Sequence, residues 1–339
     1  MAAKALVNYT DHPRKNVFRT LWAKPIIQYL NGILGKKLVY MGLPGIGAFD
    51  IKEWIDYLDM VFAYQCLDDD KEYEEAQKEF ETLKDYLNAC TIRGTLNDYN
   101  LYKGYLEQVV MTGYDEDGQE FNQNDYVTVY NLDFCNTLTK PFPVVYPDGK
   151  KIECYKLDAV DKLIEHQVNV EEANRSDKFL MFITVNSDFL ERNYDDINNS
   201  KFKKYRTRIN NNGIDPSRQA RLIKAYTYYH LNEIFAKYNF RAEFLPPMYY
   251  EGSGGRRISG TNQWMPTMML TFTILGTNIV NHEAPVAHQN VDEYLAMKFL
   301  YANNTALSCY TERRIAETDF NPEPIDMIKK SFTVTSLWV

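Results

Sequence analysis

The chain has 339 residues, 45% of them hydrophobic and 25% charged, with 46 acidic against 38 basic side chains and a formal net charge of −8. That composition excludes collagen-like, wholly disordered and disulfide-dense proteins, and a chain of this length buries a core without covalent staples. Its longest apolar runs, Phe179–Val185 and Met268–Leu275, fall well short of the about 20 residues that a membrane-spanning helix needs.

The opening MAAKALVNYTDHPRK lacks an apolar stretch of signal-peptide length, so a cytoplasmic protein is expected. Cys66, Cys90, Cys135, Cys154 and Cys309 are widely spaced and include no CxxC pair, which fits reduced thiols better than a disulfide framework or a zinc site. The acidic balance speaks against a general nucleic-acid coat, although a local basic patch can still do that work. The unusual number is 26 tyrosines; a tyrosine packs, stacks or builds an interface, so the count alone assigns no role.

In chain order, a helical stretch at Val17–Leu34 ends at Gly35. A strand is expected at Lys37–Gly42, followed by the turn Gly42-Leu-Pro-Gly45-Ile-Gly47. A helix opens near Asp50, with Ile51, Trp54, Ile55 and Leu58 at helical spacing. Met60–Cys66 reads as the second strand, and the charged Asp68–Leu87 as a helix whose three leading aspartates suit a helix N-terminus. The third strand is expected at Ala89–Gly94, with a helix at Leu101–Val110 and a surface loop at Gly113–Asp125. Tyr126–Phe134 is β-branched and aromatic, a fourth strand. Pro141–Gly149 reads as loop, Asp158–Val170 as an amphipathic helix and Lys178–Val185 as a buried strand. Pro216–Tyr238 is a long helix; Arg241–Tyr250 and Met265–Leu275 are strands joined by a glycine-rich loop, and a short helix is expected at Val291–Tyr301.

Apolar strands separated by helices imply a parallel sheet covered on both faces. Five strand–helix units followed by a strand–loop–strand hairpin resemble the class I (Rossmann-like) S-adenosylmethionine-dependent methyltransferases over about residues 36–276. The resemblance implies an α/β fold: a doubly wound, mostly parallel sheet with a C-terminal antiparallel hairpin. Residues 1–35 form a helical lead, 36–279 the methyltransferase-like domain and 280–339 a C-terminal extension.

In that family the first turn wraps the methionine part of the cofactor, which places Gly42, Leu43, Pro44, Gly45 and Gly47 at S-adenosylmethionine, beyond a strand end where open α/β sheets bind ligands. The family usually has an acid two positions before the first glycine, where this chain has Tyr40, and an acid on the ribose at the end of the second strand, where it has Gln65. Asp68–Asp70 follow closely, and the end of the third strand would bring Gly94 to the adenine. After the fourth strand, Asn131-Leu-Asp133-Phe occupies the place of the family's Asp/Asn-Pro-Pro-aromatic motif without its prolines. Asp133 is therefore expected beside the cofactor's methyl group, orienting the acceptor or taking its proton, with Asn131 beside it.

Other chemistries fit less well. Cys135 follows Phe134 and not the proline that precedes the nucleophile of cytosine-carbon methyltransferases. Of the four residues that ribose 2′-O methyltransferases use, Lys24 and Asp133 fill two. The five histidines (His12, His166, His230, His282 and His288) are scattered without a metal-binding pattern. A GxSxG elbow, a Walker sequence and a complete GxGxxG fingerprint are all absent from the sequence.

On the acceptor side, Lys201–Arg208 interleaves base with aromatics, giving Lys203, Lys204, Arg206 and Arg208 as candidates; Arg218, Arg221 and Lys224 follow, and Arg256 and Arg257 precede Trp264. Such a cluster meets phosphates and unpaired bases, or an acidic protein partner. The expected function is methyl transfer from S-adenosylmethionine to a nucleic-acid or protein acceptor. The alternative is a non-catalytic scaffold or partner subunit on the same fold, with a nicotinamide oxidoreductase third.

Overall fold

A computed structural model describes residues 13–65, 73–134, 137–171, 175–186, 217–245, 247–257, 264–278 and 313–314. The chain opens with a continuous helical lead made of α1 (Pro13–Val17), a π-helical segment (Phe18–Ala23) and α2 (Lys24–Leu34). Gly35, at φ 63°, closes it, its amide bonded to the Asn31 carbonyl at 2.9 Å. Then come β1 (Leu38–Gly42), α3 (Phe49–Trp54) with a 3₁₀ turn (Ile55–Tyr57), β2 (Leu58–Gln65), α4 (Tyr73–Ile92) and β3 (Asp98–Lys103). The second half holds α5 (Leu106–Thr112), β4 (Val129–Asp133), β5 (Phe142–Val145), β6 (Lys151–Cys154), α6 (Lys156–Asn169) and β7 (Lys178–Asn186). It closes with α7 (Ser217–Lys237), β8 (Phe240–Phe244), β9 (Met248–Arg257), β10 (Trp264–Asn278) and β11 (Arg313–Arg314).

The main sheet runs β11-β9-β10-β7-β4-β1-β2-β3, with β8 also paired to β10. The strands from β3 to β7 are mutually parallel, while β10 is antiparallel to β7, β8 and β9. Winding proceeds outward from β1 through β2 to β3, then from β4 through β7, so the reversal lies between β1 and β4. This is the class I methyltransferase arrangement, with a hairpin partner inserted beside the fifth parallel strand. Alternate strand residues feed two cores. Met41, Phe62, Tyr130 and Met181 pack with α5, α6 and α7. Tyr40, Val61, Val129 and Phe182 pack with the helical lead, α3 and α4.

The structure changes three expectations. Ala89–Ile92 belong to α4, because Phe80, Leu83, Leu87 and Cys90 continue one buried helical stripe, which ends where Gly94 turns at φ 70°. The third strand is instead Asp98–Lys103, a sheet-edge strand whose exposed and polar first half hid it and whose second half took the place of a helix start. Pro141–Gly149 is not simply loop. Phe142–Val145 pairs antiparallel with Lys151–Cys154, the turn closed by the Tyr146 amide on the Lys150 carbonyl at 2.8 Å, and an isolated hairpin tolerates Pro143 on its ladder. The glycines at 252, 254 and 255 likewise lie within β9 and not in a loop. The expected helix at Val291–Tyr301 lies outside the described residues, as do Cys135 and Asp68–Asp70.

Among the described residues no helix is long and apolar enough to cross a membrane. Burial lowers the pKa of the His230 imidazole from 6.5 to about 4 and moves His166 in the same direction. Between those values the unfolded chain binds protons that folded His230 refuses, so stability declines as pH falls from 6.5 toward 4. A urea-midpoint series across that window should show a loss of about 2–3 kcal/mol, and His230→Phe should flatten it.

Candidate functional site at the sheet's switch point

The reversal between β1 and β4 opens a crevice beyond the strands' C-terminal ends, where doubly wound sheets bind ligands. Its floor is tightly built. Gly42 pairs with Asn131 across the two strands, and the Leu43 amide donates to the Asn131 carbonyl at 3.0 Å. A Cβ on Gly42 would stand 2.4 Å from the Tyr40 hydroxyl and 2.5 Å from the Asn131 carbonyl oxygen. Gly42→Ala should therefore destabilise the fold by about 2 kcal/mol or more, read as a lower denaturation midpoint. Gly45 and Gly47 shape the turn into α3, where the Ala48 amide meets the Gly45 carbonyl at 3.1 Å.

A buried carboxylate that the sequence reading missed organises the floor. Asp50, 2% exposed on the first turn of α3, accepts the Tyr40 hydroxyl and, at 2.6 Å, the Asn131 side-chain amide on the same Oδ2. Burial and the adjacent Asp50 charge hold the Tyr40 phenol far above its ordinary pKa, so it stays a neutral donor. The acid expected at position 40 is thus supplied from the facing helix. Asp50 Oδ1 is buried and has no hydrogen-bond partner among the described residues.

The wall is the helical lead. Lys15 Nζ lies 2.5 Å from Asp133 Oδ2, with the two side chains 14% and 21% exposed, while Asp133 Oδ1 is buried without a partner among the described residues. Trp22 Nε1 donates to Thr273 Oγ1 at 2.9 Å, and Trp54 Nε1 to the Arg19 carbonyl at 3.1 Å. Phe18 meets Phe182 edge-on at 5.4 Å, and buried Arg19 sets its guanidinium over the Phe49 ring at 5.5 Å. These contacts fix the π-helical turn, and with it Lys15, against the ends of β4 and β7. Thr184 and Thr271, hydroxyl to hydroxyl at 2.9 Å, complete the rim. Lys24, the lysine singled out by the ribose-methylation pattern, instead meets Glu53 at 2.8 Å; Lys15 is the residue at Asp133.

The other candidates divide. Gln65 ends β2 beside Lys103, and its carbonyl accepts the Gly104 amide at 3.0 Å. Gly94 is excluded from the crevice: it caps α4 just before β3, at the opposite, N-terminal end of the strands, where the nearby Asn97 amide meets the Asp59 carbonyl at 2.7 Å. Lys203, Lys204, Arg206 and Arg208 lie outside the described residues; Arg256 and Arg257 pair with Met265 and Trp264 on the hairpin. Tyr226, Tyr228, Tyr229 and Tyr250 are each 2% exposed, so they form core and not a stacking surface for an acceptor. Tyr64 and Tyr130 are buried in the sheet core opposite Tyr40, Tyr130 donating to Gln167 Oε1 at 3.1 Å. The missed residues left faint signals: Asp50 opens a helix directly after the glycine turn, and Lys15 stands three residues before an aromatic on the helix that precedes β1.

S-adenosylmethionine, the cofactor the fold implies, presents a sulfonium and an ammonium cation, a carboxylate and an adenosine. The donor set fits it. The unpartnered carboxylate oxygen of Asp50 suits a cation, Arg19 in the wall suits the carboxylate, and the Gln65 amide suits ribose hydroxyls. The cavity between these groups measures about 30 Å³, room for about one water, so a ligand of cofactor size enters only if the wall, which holds Lys15 and Phe18, moves. Among the described residues no cluster of three or more His, Cys, Asp or Glu is placed to hold a metal ion.

Comparisons with known proteins bear on the family. The PP_RS20740-like family matches residues 11–230. No curated protein matches the chain in sequence. Similar solved structures include the YcgJ protein from Bacillus subtilis, 9% identical over 74% of this chain and 98% of that one, with a TM-score of 0.34. The O-methyltransferase TomG from Streptomyces achromogenes is 8% identical over 75% and 80%, TM-score 0.33. Magnesium protoporphyrin IX methyltransferase from Synechocystis PCC 6803 is 8% identical over 76% and 83%, TM-score 0.29. These are distant likenesses, and the roles assigned to residues rest on this chain's own geometry.

Proposed function

The chain belongs to the PP_RS20740-like family, and we propose that it transfers a methyl group from S-adenosylmethionine to a nucleic-acid or protein acceptor at the β1/β4 crevice. The observation that carries this reading is the pair of carboxylates, buried Asp50 and half-buried Asp133, each with one buried oxygen that has no hydrogen-bond partner among the described residues, at the switch point of the sheet. When bound, S-adenosylmethionine supplies a methyl group on a positively charged sulfur. The chain's residues do the rest by positioning. Asp50 holds Tyr40 and Asn131 rigid beneath the ligand, and Asp133, at the end of β4, holds the acceptor's N–H or O–H and takes its proton. Lys15 pairs with Asp133 and must leave it for an acceptor to enter.

The acceptor class rests on the basic and aromatic segment Lys201–Arg208 with Arg256 and Arg257. Incubating the protein with methyl-tritiated S-adenosylmethionine and separated RNA, DNA and protein fractions of a cell extract tests it. Protein-dependent label in one fraction supports the reading, and label in none overturns it. One observation favours a second reading, a non-catalytic subunit: the Lys15–Asp133 pair already closes the crevice, and β2 ends in the amide Gln65 and not in an acid. Tight cofactor binding without label in any fraction would favour that reading.

A further inference from the structure

A second cavity lies at the opposite end of the strands from the crevice, about 180 Å³ in volume, where β7 and β8 begin and β10 ends. Its floor is buried: the Tyr126 phenol, 3% exposed, the fully buried Gln167 amide and Phe240. Its rim is exposed and rich in donors: Arg175, Lys237 and Asn239.

The floor is half satisfied. Gln167 spends its amide on the Val127 carbonyl at 2.6 Å and its carbonyl oxygen on Gln123, Val127 and Tyr130. Beside it the Tyr126 hydroxyl makes no hydrogen bond among the described residues, and a buried hydroxyl left so is costly. The rim is partly preset. Arg175 is held flat by Nε on the Val170 carbonyl at 2.6 Å and Nη2 on the Val168 carbonyl at 2.8 Å, which leaves Nη1 without a partner among the described residues. Lys237 is held over the Tyr238 ring at 4.7 Å by Asp161 at 2.8 Å. A guanidinium fixed in one plane presents its remaining donors to a carboxylate at little entropic loss.

We propose that this cavity is a binding site for a compact single-ring carboxylate, the ring on the buried floor and the carboxylate accepting from the Tyr126 hydroxyl and from Arg175. Its volume admits one ring, comparable with an engineered cavity of about 150 Å³ that takes benzene. Only donors and neutral groups line it, so an acceptor-rich anion is the complementary ligand. The site is separate from the β1/β4 crevice and does not depend on methyl transfer.

Benzoate, with benzamide as its neutral counterpart, is the probe, followed by calorimetry and by amide chemical shifts on the full chain. Saturable benzoate binding is expected, at least tenfold tighter than benzamide, weakened tenfold or more by Arg175→Ala and severalfold by Tyr126→Phe, and unchanged by Asp50→Asn. Should Arg175→Ala fail to fold, the benzamide comparison and Tyr126→Phe decide. No saturable binding, equal affinity for the two probes, or indifference to Tyr126→Phe overturns the proposal.

Discussion

Asp50→Ala should lower stability by about 3–5 kcal/mol, measured as a fall in the denaturant midpoint at unchanged slope. The reason is geometric. The Tyr40 hydroxyl and the Asn131 amide, both buried, share Asp50 Oδ2 as acceptor, and alanine leaves two donors stranded in the core. Each stranded donor costs about 1–3 kcal/mol, partly offset because a buried charge is also removed. Asp50→Asn keeps an acceptor and the shape, so its stability loss should be near 1 kcal/mol. The same variant should weaken S-adenosylhomocysteine at least tenfold, because it neutralises the one buried carboxylate oxygen of the floor that is left for a ligand. Unaltered affinity in Asp50→Asn would make the network purely structural.

Asp133→Ala should separate binding from transfer. Asp133 ends β4 at the rim, and among the described residues only Lys15 bonds its Oδ2, so its removal strands no described buried donor other than a part-exposed ammonium. Stability should change by less than about 1 kcal/mol. Affinity for S-adenosylhomocysteine should stay within about threefold, while transfer of labelled methyl to the acceptor fraction falls about 10²–10⁴-fold, the range of a lost acid–base group. Lys15→Ala should act in the other direction, tightening S-adenosylhomocysteine severalfold because the ligand no longer displaces an ion pair. Asp133→Ala with full transfer would remove Asp133 from the acceptor site.

The architecture was readable because its strands are buried on both faces. β7, Lys178–Asn186, is a near-continuous apolar run of strand length, and the order of elements around it implied the doubly wound sheet. What failed lies at the periphery. β3 is an edge strand with exposed Asp98 and half-buried Asn100, so its pattern carries no apolar run, while Ala89–Ile92 reads as strand only if the heptad-like stripe through Cys90 is ignored. The crevice was legible as a place, since Gly42, Asn131 and Asp133 meet there. Its electrostatics were not. Tyr40 looked like a lost acid because the compensating carboxylate, Asp50, is ten residues away and reaches it only through the turn into α3. Lys15 is 118 residues from Asp133, a pairing that only the packing of the helical lead on the sheet creates. Local patterns locate a strand end; they do not say which distant charge closes it.

The most direct measurement is the thermal unfolding midpoint of the full chain titrated with S-adenosylhomocysteine. If the β1/β4 crevice takes this cofactor, the midpoint must climb with ligand, reaching about 2.7 kcal/mol of added stability at one hundred times the dissociation constant. A midpoint that stays flat up to millimolar S-adenosylhomocysteine, in the wild-type chain and in Lys15→Ala alike, would contradict it.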